Sequence, residues 1–142
     1  MPINSRRKGH DWERRVARDL REIFGKGIRR GYQTDDNAHE PDVAGTPFWI
    51  ECKCSKRIDI NGAMEQAIGD LERCGDLEKG EGPELFFREG PKYACPIVCS
   101  HNTTSGHSLV TFRYHDLLRI LELIFGTTNQ QTEEEEDGHS GN

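Results

Sequence analysis

Apolar residues recur at helical spacing through the first two dozen positions: Trp12, Val16, Leu20 and Ile23. This periodicity predicts an amphipathic helix, capped by Asn4 or Ser5 and stopped by Gly25 after Phe24. At about 100° per residue, Arg7, Arg14, Arg18 and Arg21 fall together on the opposite side. Glu13 breaks the pattern. It falls on the wheel between Leu20 and Phe24, inside the apolar arc. A carboxylate there is costly unless it finds a partner or reaches water at the rim.

The period then changes. "GIRRGYQTDDNAHEPD" is rich in turn residues, and Asp42-Val43 reads as the end of a short strand. "AGTP" supplies a turn, and residues 48–55 read as the return strand. Alternation along that strand points Phe48, Ile50, Cys52 and Cys54 into the core. Trp49, Glu51, Lys53 and Ser55 share the other face. An acid and an ammonium inside an apolar run are thus carried side by side on a rigid strand, with Asp42 across the turn.

Asn61 can cap a second helix over residues 62–74, with Met64, Ile68 and Leu71 inward and Glu65 and Gln66 off the stripe. Residues 75–92 form a connection rich in Gly, Pro and charge, with an apolar island "LFF" at 85–87. Residues 93–100 and 109–113 predict a hairpin around "HNTTSGHS". Residues 115–125 predict an amphipathic helix with Leu117, Leu118, Leu121 and Ile124 inward. The order helix–strand–strand–helix–strand–strand–helix implies an α/β sandwich around a mixed sheet. One domain over 1–126, followed by a disordered acidic tail over 127–142, is the expected organisation.

Length and composition fit this picture. With 142 residues, 31% charged and 33% hydrophobic, the chain can build one soluble domain with one core. No apolar run approaches the roughly 18 residues of a membrane helix. The basic N-terminus has no apolar segment behind it, so a cytoplasmic location is expected. The five cysteines show no small-scaffold spacing and are expected as free thiols. Cys52, Cys54, Cys95 and Cys99 could be drawn as a four-thiolate zinc site, but small thiols facing a core are the plainer reading.

The net charge of −6 conceals an asymmetry. "EEEED" at 133–137 carries five negative charges, whereas residues 1–30 hold ten Lys or Arg against four acids. A basic end on a nearly neutral body points to a polyanion partner, nucleic acid first. A solvated helix face is the plainer alternative.

Two close carboxylates repel unless a cation joins them. Asp42 and Glu51, brought to one end of a sheet, are a donor set for Mg²⁺, which takes one or two carboxylates plus phosphate and water. Lys53 beside them could orient the attacking water and stabilise charge on a phosphate. Glu13 could be a further ligand. An ion pair between Glu51 and Lys53 on a solvated face is the simpler account, but it leaves Asp42 and Glu13 unexplained.

"PD" ending at Asp42 and "ECK" beginning at Glu51 resemble the PD-(D/E)XK nuclease superfamily. "SRRKGHDWERRVARDL" ahead of the motif and "EQAIGDL" after it are similar to the archaeal and phage Holliday-junction resolvases. The resemblance runs from about Ser5 to Leu71, and more loosely to the strand and helix over 109–125. It implies a restriction-endonuclease-like α/β/α sandwich and a Mg²⁺-dependent homodimer, with Mn²⁺ as a substitute, that nicks four-way DNA junctions symmetrically. On the family pattern Glu13, Asp42 and Glu51 hold metal and Lys53 is the catalytic lysine. Arg6, Arg7, Lys8, Arg29 and Arg30 grip phosphates, and Ser55 is a polar helper at the DNA. If the gene is a phage's, the location is the host cytoplasm. The connection over 75–92 is longer than the family leads one to expect, and the acidic tail is an addition. A general flap, nicking or restriction-type nuclease, or a non-catalytic DNA-binding protein on the same fold, are the alternatives.

Overall fold

Helix α1 spans Pro2–Phe24, in a computed structural model that describes residues 2–31, 40–75 and 93–137. It begins ahead of the expected Asn4 or Ser5 cap, because proline fits a first helical turn that needs no N–H from it. Gly25 ends it as expected. Its φ is 98°, and its N–H donates to the Arg21 carbonyl at 2.9 Å. The buried arc is Glu13, Val16 and Ala17. Ile23, expected inside, is 75% exposed. Burial stops at the half-buried Leu20, so the last turn has no sheet beneath it.

Five strands follow: β1 Arg29–Arg30, β2 Val43–Ala44, β3 Trp49–Ser55, β4 Pro96–Asn102 and β5 Ser108–Phe112. They form one mixed sheet in the order β1-β2-β3-β4-β5. Only β3 and β4 are parallel. Parallel neighbours need a crossover, and helix α2, Ile60–Gly75, lies within it. Strand β1 lies in a stretch read only as turns from sequence, since two arginines give no strand periodicity. The residues 85–87 island lies outside the described residues.

The two faces of β3 show how the layers stack. Trp49 packs with Ala67, Cys74 and Tyr93, and Lys53 reaches Gln66, so the odd positions face α2. Cys52 feels the charge of Glu13, and Cys54 that of Lys8, so the even positions face α1. The sheet is therefore covered on both faces, an α/β sandwich. This is why Trp49, on the face opposite Ile50, is as buried as it is.

Two helix expectations are corrected. Asp59, not Asn61, caps α2: its Oδ1 accepts the Gly62 N–H at 2.9 Å. The fully buried positions of α2 are Ala63, Ala67 and Cys74 rather than Met64, Ile68 and Leu71, which are half-buried. Small side chains let the helix approach the sheet closely, and the larger ones flank that contact.

The chain divides into two compact units, Met1–Phe112 and Arg113–Asn142. The second unit is helix α3, Tyr114–Asp137, which continues through residues 127–137, where a disordered tail was expected. Glutamate and glutamine are good helix formers. Leu117, Leu118, Leu121 and Ile124, expected inward, are 38–62% exposed, and Leu123 and Phe125 are 37% and 59% exposed. Among the described residues, no helix is long and apolar enough to cross a membrane.

Candidate functional site

Asp42 is fixed by the edge of β3. Its N–H donates to the Ile50 carbonyl at 2.9 Å, and its Oδ2 accepts the Cys52 N–H at 2.8 Å. The side chain thus replaces the next backbone acceptor once the short β2 has ended. Gly31 makes room for this arrangement, since a Cβ there would lie 1.9 Å from the Pro41 carbonyl oxygen. Its N–H in turn donates to the Asp42 carbonyl at 2.9 Å.

Glu51, between the two residues that Asp42 bonds, is 6% exposed. Its Oε1 lies 3.3 Å from Lys53 Nζ. Burial pushes the Glu51 carboxyl up to about 7; Asp42 adds to the rise, and Lys53 opposes it. Asp70 on α2 raises it further. Lys53 Nζ also donates to Gln66 Oε1 at 3.0 Å. A recess of about 270 Å³ opens beside it, lined by Ser55, Arg57 and Gln66 among others.

Glu13 enters from α1 and is also buried. Its Oε2 takes a salt bridge from Arg30 at 2.8 Å, which resolves the cost of an acid within an apolar arc. Cys52 ties the acids together. Burial raises its thiol well above the usual range, and the charges of Cys99, Asp42, Glu13 and Glu51 raise it further. All three carboxylates therefore lie near enough to Cys52 to act on it through their charge. Among the described residues, however, no three His, Cys, Asp or Glu side chains are grouped closely enough to hold a metal ion.

Asp42 and Glu51 fit a Mg²⁺ ion on chemical grounds. They are hard oxygen donors, Glu51 is buried and raised in part by the charge of Asp42, and Mg²⁺ is ordinarily held by one or two carboxylates. Glu13 is committed to Arg30 and would join only if that pair opened.

The basic residues divide. Arg6, Arg7 and Lys8 are exposed on α1. Arg7 lies 4.0 Å from Asp11. Burial raises the Cys54 thiol, and the charge of Lys8 opposes the rise in part. Arg29 is paired with Glu40 at 2.6 Å and Arg30 with Glu13, so both are already held by carboxylates. Ser55 is exposed, and its hydroxyl donates to the Arg57 carbonyl. The five thiols are free; four are buried and Cys54 is half-buried.

Sequence reasoning missed Gln66 and Asp70, whose position off the apolar stripe of α2 was the available signal. It also named Arg14, Arg18 and Arg21 only as a helix face. With Arg15, Arg29 and Arg30 they line a cleft of about 630 Å³ between α1 and β1. Comparison with protein-family models, curated proteins and solved structures gives no match for this chain.

Proposed function

We propose that this protein is a divalent-metal-dependent endodeoxyribonuclease with a restriction-endonuclease-like core, acting on four-way DNA junctions as a cytoplasmic homodimer. The observation that carries the reading is the pairing of Glu51 with Lys53 on one strand face, next to Asp42. Asp42 is held there by the Cys52 N–H, and Glu51 and Lys53 project from a paired strand, joined to each other and, through Lys53, to Gln66.

In this reading Asp42, Glu51 and, on release from Arg30, Glu13 hold Mg²⁺ or Mn²⁺. The ion when bound supplies Lewis-acid activation of water and of the phosphate. Lys53, oriented by Gln66, donates hydrogen bonds to the phosphate oxygens as charge builds on them. Arg6, Arg7 and Lys8 attract the backbone, and Ser55 borders the recess beside Lys53. The junction preference rests on the sequence resemblance. The test is cleavage of a four-way junction set against linear, nicked and flapped duplexes with Mg²⁺. Faster cutting of linear duplex would reassign the protein as a general nuclease.

One observation favours a second reading. Glu13 and Arg30, and Glu51 and Lys53, neutralise one another pairwise, as they would in a non-catalytic DNA-binding protein. Binding without cleavage in Mg²⁺ and in Mn²⁺ would establish it.

A further inference from the structure

We propose that the cleft between α1 and β1 is a binding track for the sugar-phosphate backbone of DNA, distinct from the Glu51–Lys53 face. It rests on the nuclease reading only for the nature of the polyanion.

Among the described residues, six arginines line the cleft, Arg14, Arg15, Arg18, Arg21, Arg29 and Arg30, with one acid, Asp11. They fall into two sets. Arg21 is locked by donating Nε and one terminal nitrogen to the Ile28 carbonyl, at 3.1 and 3.0 Å. Arg29 and Arg30 are held by Glu40 and Glu13. These three build a fixed wall. Arg14, Arg15 and Arg18 belong to α1 and are exposed. Arg14 pairs with Asp11 at 3.0 Å and Arg18 approaches Asp19 at 3.9 Å, all four side chains being more than half exposed. Such exposed pairs contribute little and exchange readily for a phosphate. Arg15 lies over the Trp12 ring, 5.7 Å from its centroid, which orients its planar guanidinium.

The spacing favours a chain of phosphates over one small anion. Arg14, Arg18 and Arg21 recur along one flank of the helix over about 10 Å, at about 1.5 Å per residue. At about 3.4 Å of axis per nucleotide this spans roughly three phosphates of a strand. A single phosphate would need the donors to converge. Guanidinium forks suit phosphate oxygens, which they take two at a time.

The test uses the full chain in chelator, so that no strand is cut, with a fluorescent four-way junction and a fluorescent linear duplex. Affinity is followed by anisotropy across a salt series for wild type, R14Q/R18Q, R14K/R18K and the exposed control R119Q. Inorganic polyphosphate serves as competitor. R14Q/R18Q is expected to bind on the order of tenfold more weakly, with a salt slope reduced by about 2, since each phosphate contact contributes about 0.9. Its melting temperature should match wild type, polyphosphate should compete, and R119Q should change nothing. R14K/R18K should keep the slope. If it loses the slope as fully as R14Q/R18Q, the effect is one of shape, and the track is overturned. An unchanged R14Q/R18Q slope beside a binding wild type overturns the track alone. No DNA binding by wild type overturns the track and the nuclease reading together.

Discussion

Glu51 and Lys53 lie two residues apart on one face of β3, with Oε1 and Nζ 3.3 Å apart, yet the acid is held near neutrality rather than driven to ionise. Burial outweighs the ammonium, and Asp42 adds to the imbalance. A carboxyl raised from 4.5 to about 7 binds its proton more tightly in the folded state. The stability this contributes is fully present below 4.5 and is lost as pH rises through about 7. Glu51→Gln should therefore flatten that decline and raise the melting temperature at pH 8. The gain should be on the order of 3–4 kcal/mol, at about 1.4 kcal/mol per pH unit between 4.5 and about 7. Thermal melts of both proteins across pH 4 to 8 measure it; parallel curves would show that Glu51 is not the group responsible.

The same imbalance predicts what metal does. Asp42→Asn keeps a side-chain oxygen for the Cys52 N–H while removing the neighbouring charge. It should lower the Glu51 pKa, though only in part, because burial is the larger cause. Both Asp42→Asn and Glu51→Gln should abolish cleavage and leave DNA affinity equal or tighter, since carboxylate–phosphate repulsion is relieved. Mg²⁺ or Mn²⁺ should support cutting and Ca²⁺ chiefly binding. Cleavage undiminished in excess chelator would sink the metal mechanism.

Gln66 should act through Lys53. Removing its carbonyl acceptor in Gln66→Leu frees the ammonium to leave the Glu51 side. Turnover should fall on the order of a hundredfold, the scale of a catalytic group misplaced by about 1 Å, with DNA affinity unchanged. Lys53→Met should fall much further. A Gln66→Leu enzyme with normal kcat would make the Lys53–Gln66 bond incidental.

The elements were legible where periodicity was strong. Helix α1 and strand β3 could be read to within a few residues, because one shows the helical repeat and the other encloses a polar pair in an apolar run. Asp42, Glu51 and Glu13 stood out for a shared reason: each is an acid where the pattern expects none. The partners were not legible. Arg30 meets Glu13 across 17 positions, through a two-residue strand that carries no pattern of its own. Gln66 meets Lys53 only because α2 crosses over the sheet. The stripe of α2 was misread because alanine and cysteine at close approach bury more completely than leucine beside them. The apolar face of α3 was legible as a stripe, but a stripe does not say what covers it.

Arg30 is the internal cation of Glu13. Arg30→Gln leaves a carboxylate with an 11%-exposed side chain without its charge partner. Loss of one member of a buried pair costs about 3–5 kcal/mol, and partial exposure of Arg30 should bring this to the low end. If Glu13 then joins a metal site, Mg²⁺ should raise the melting temperature of Arg30→Gln more than that of wild type. Equal shifts would leave Glu13 a purely structural acid.

The last prediction concerns symmetry. A four-way junction has approximate two-fold symmetry, and productive resolution takes two nicks in opposing strands. One chain carries one Asp42–Glu51–Lys53 set, so two chains are needed, and a two-fold dimer supplies them directly. The apolar surface for such a contact lies on α3, where Leu117, Leu118, Leu121, Leu123, Ile124 and Phe125 are each 37–62% exposed. At about 100° per residue, Leu117, Leu118, Leu121, Ile124 and Phe125 share one side of the helix, and an exposed apolar stripe of that kind is unusual on a monomer. Sedimentation should give a dimer, and Leu121→Asp with Ile124→Asp should give a folded monomer that nicks one strand per encounter. Mixing wild type with Glu51→Gln chains should likewise yield junctions nicked once, by heterodimers holding one working site. If the wild type sediments as a monomer on DNA and still releases two-nick products in a single encounter, the paired-site account is wrong.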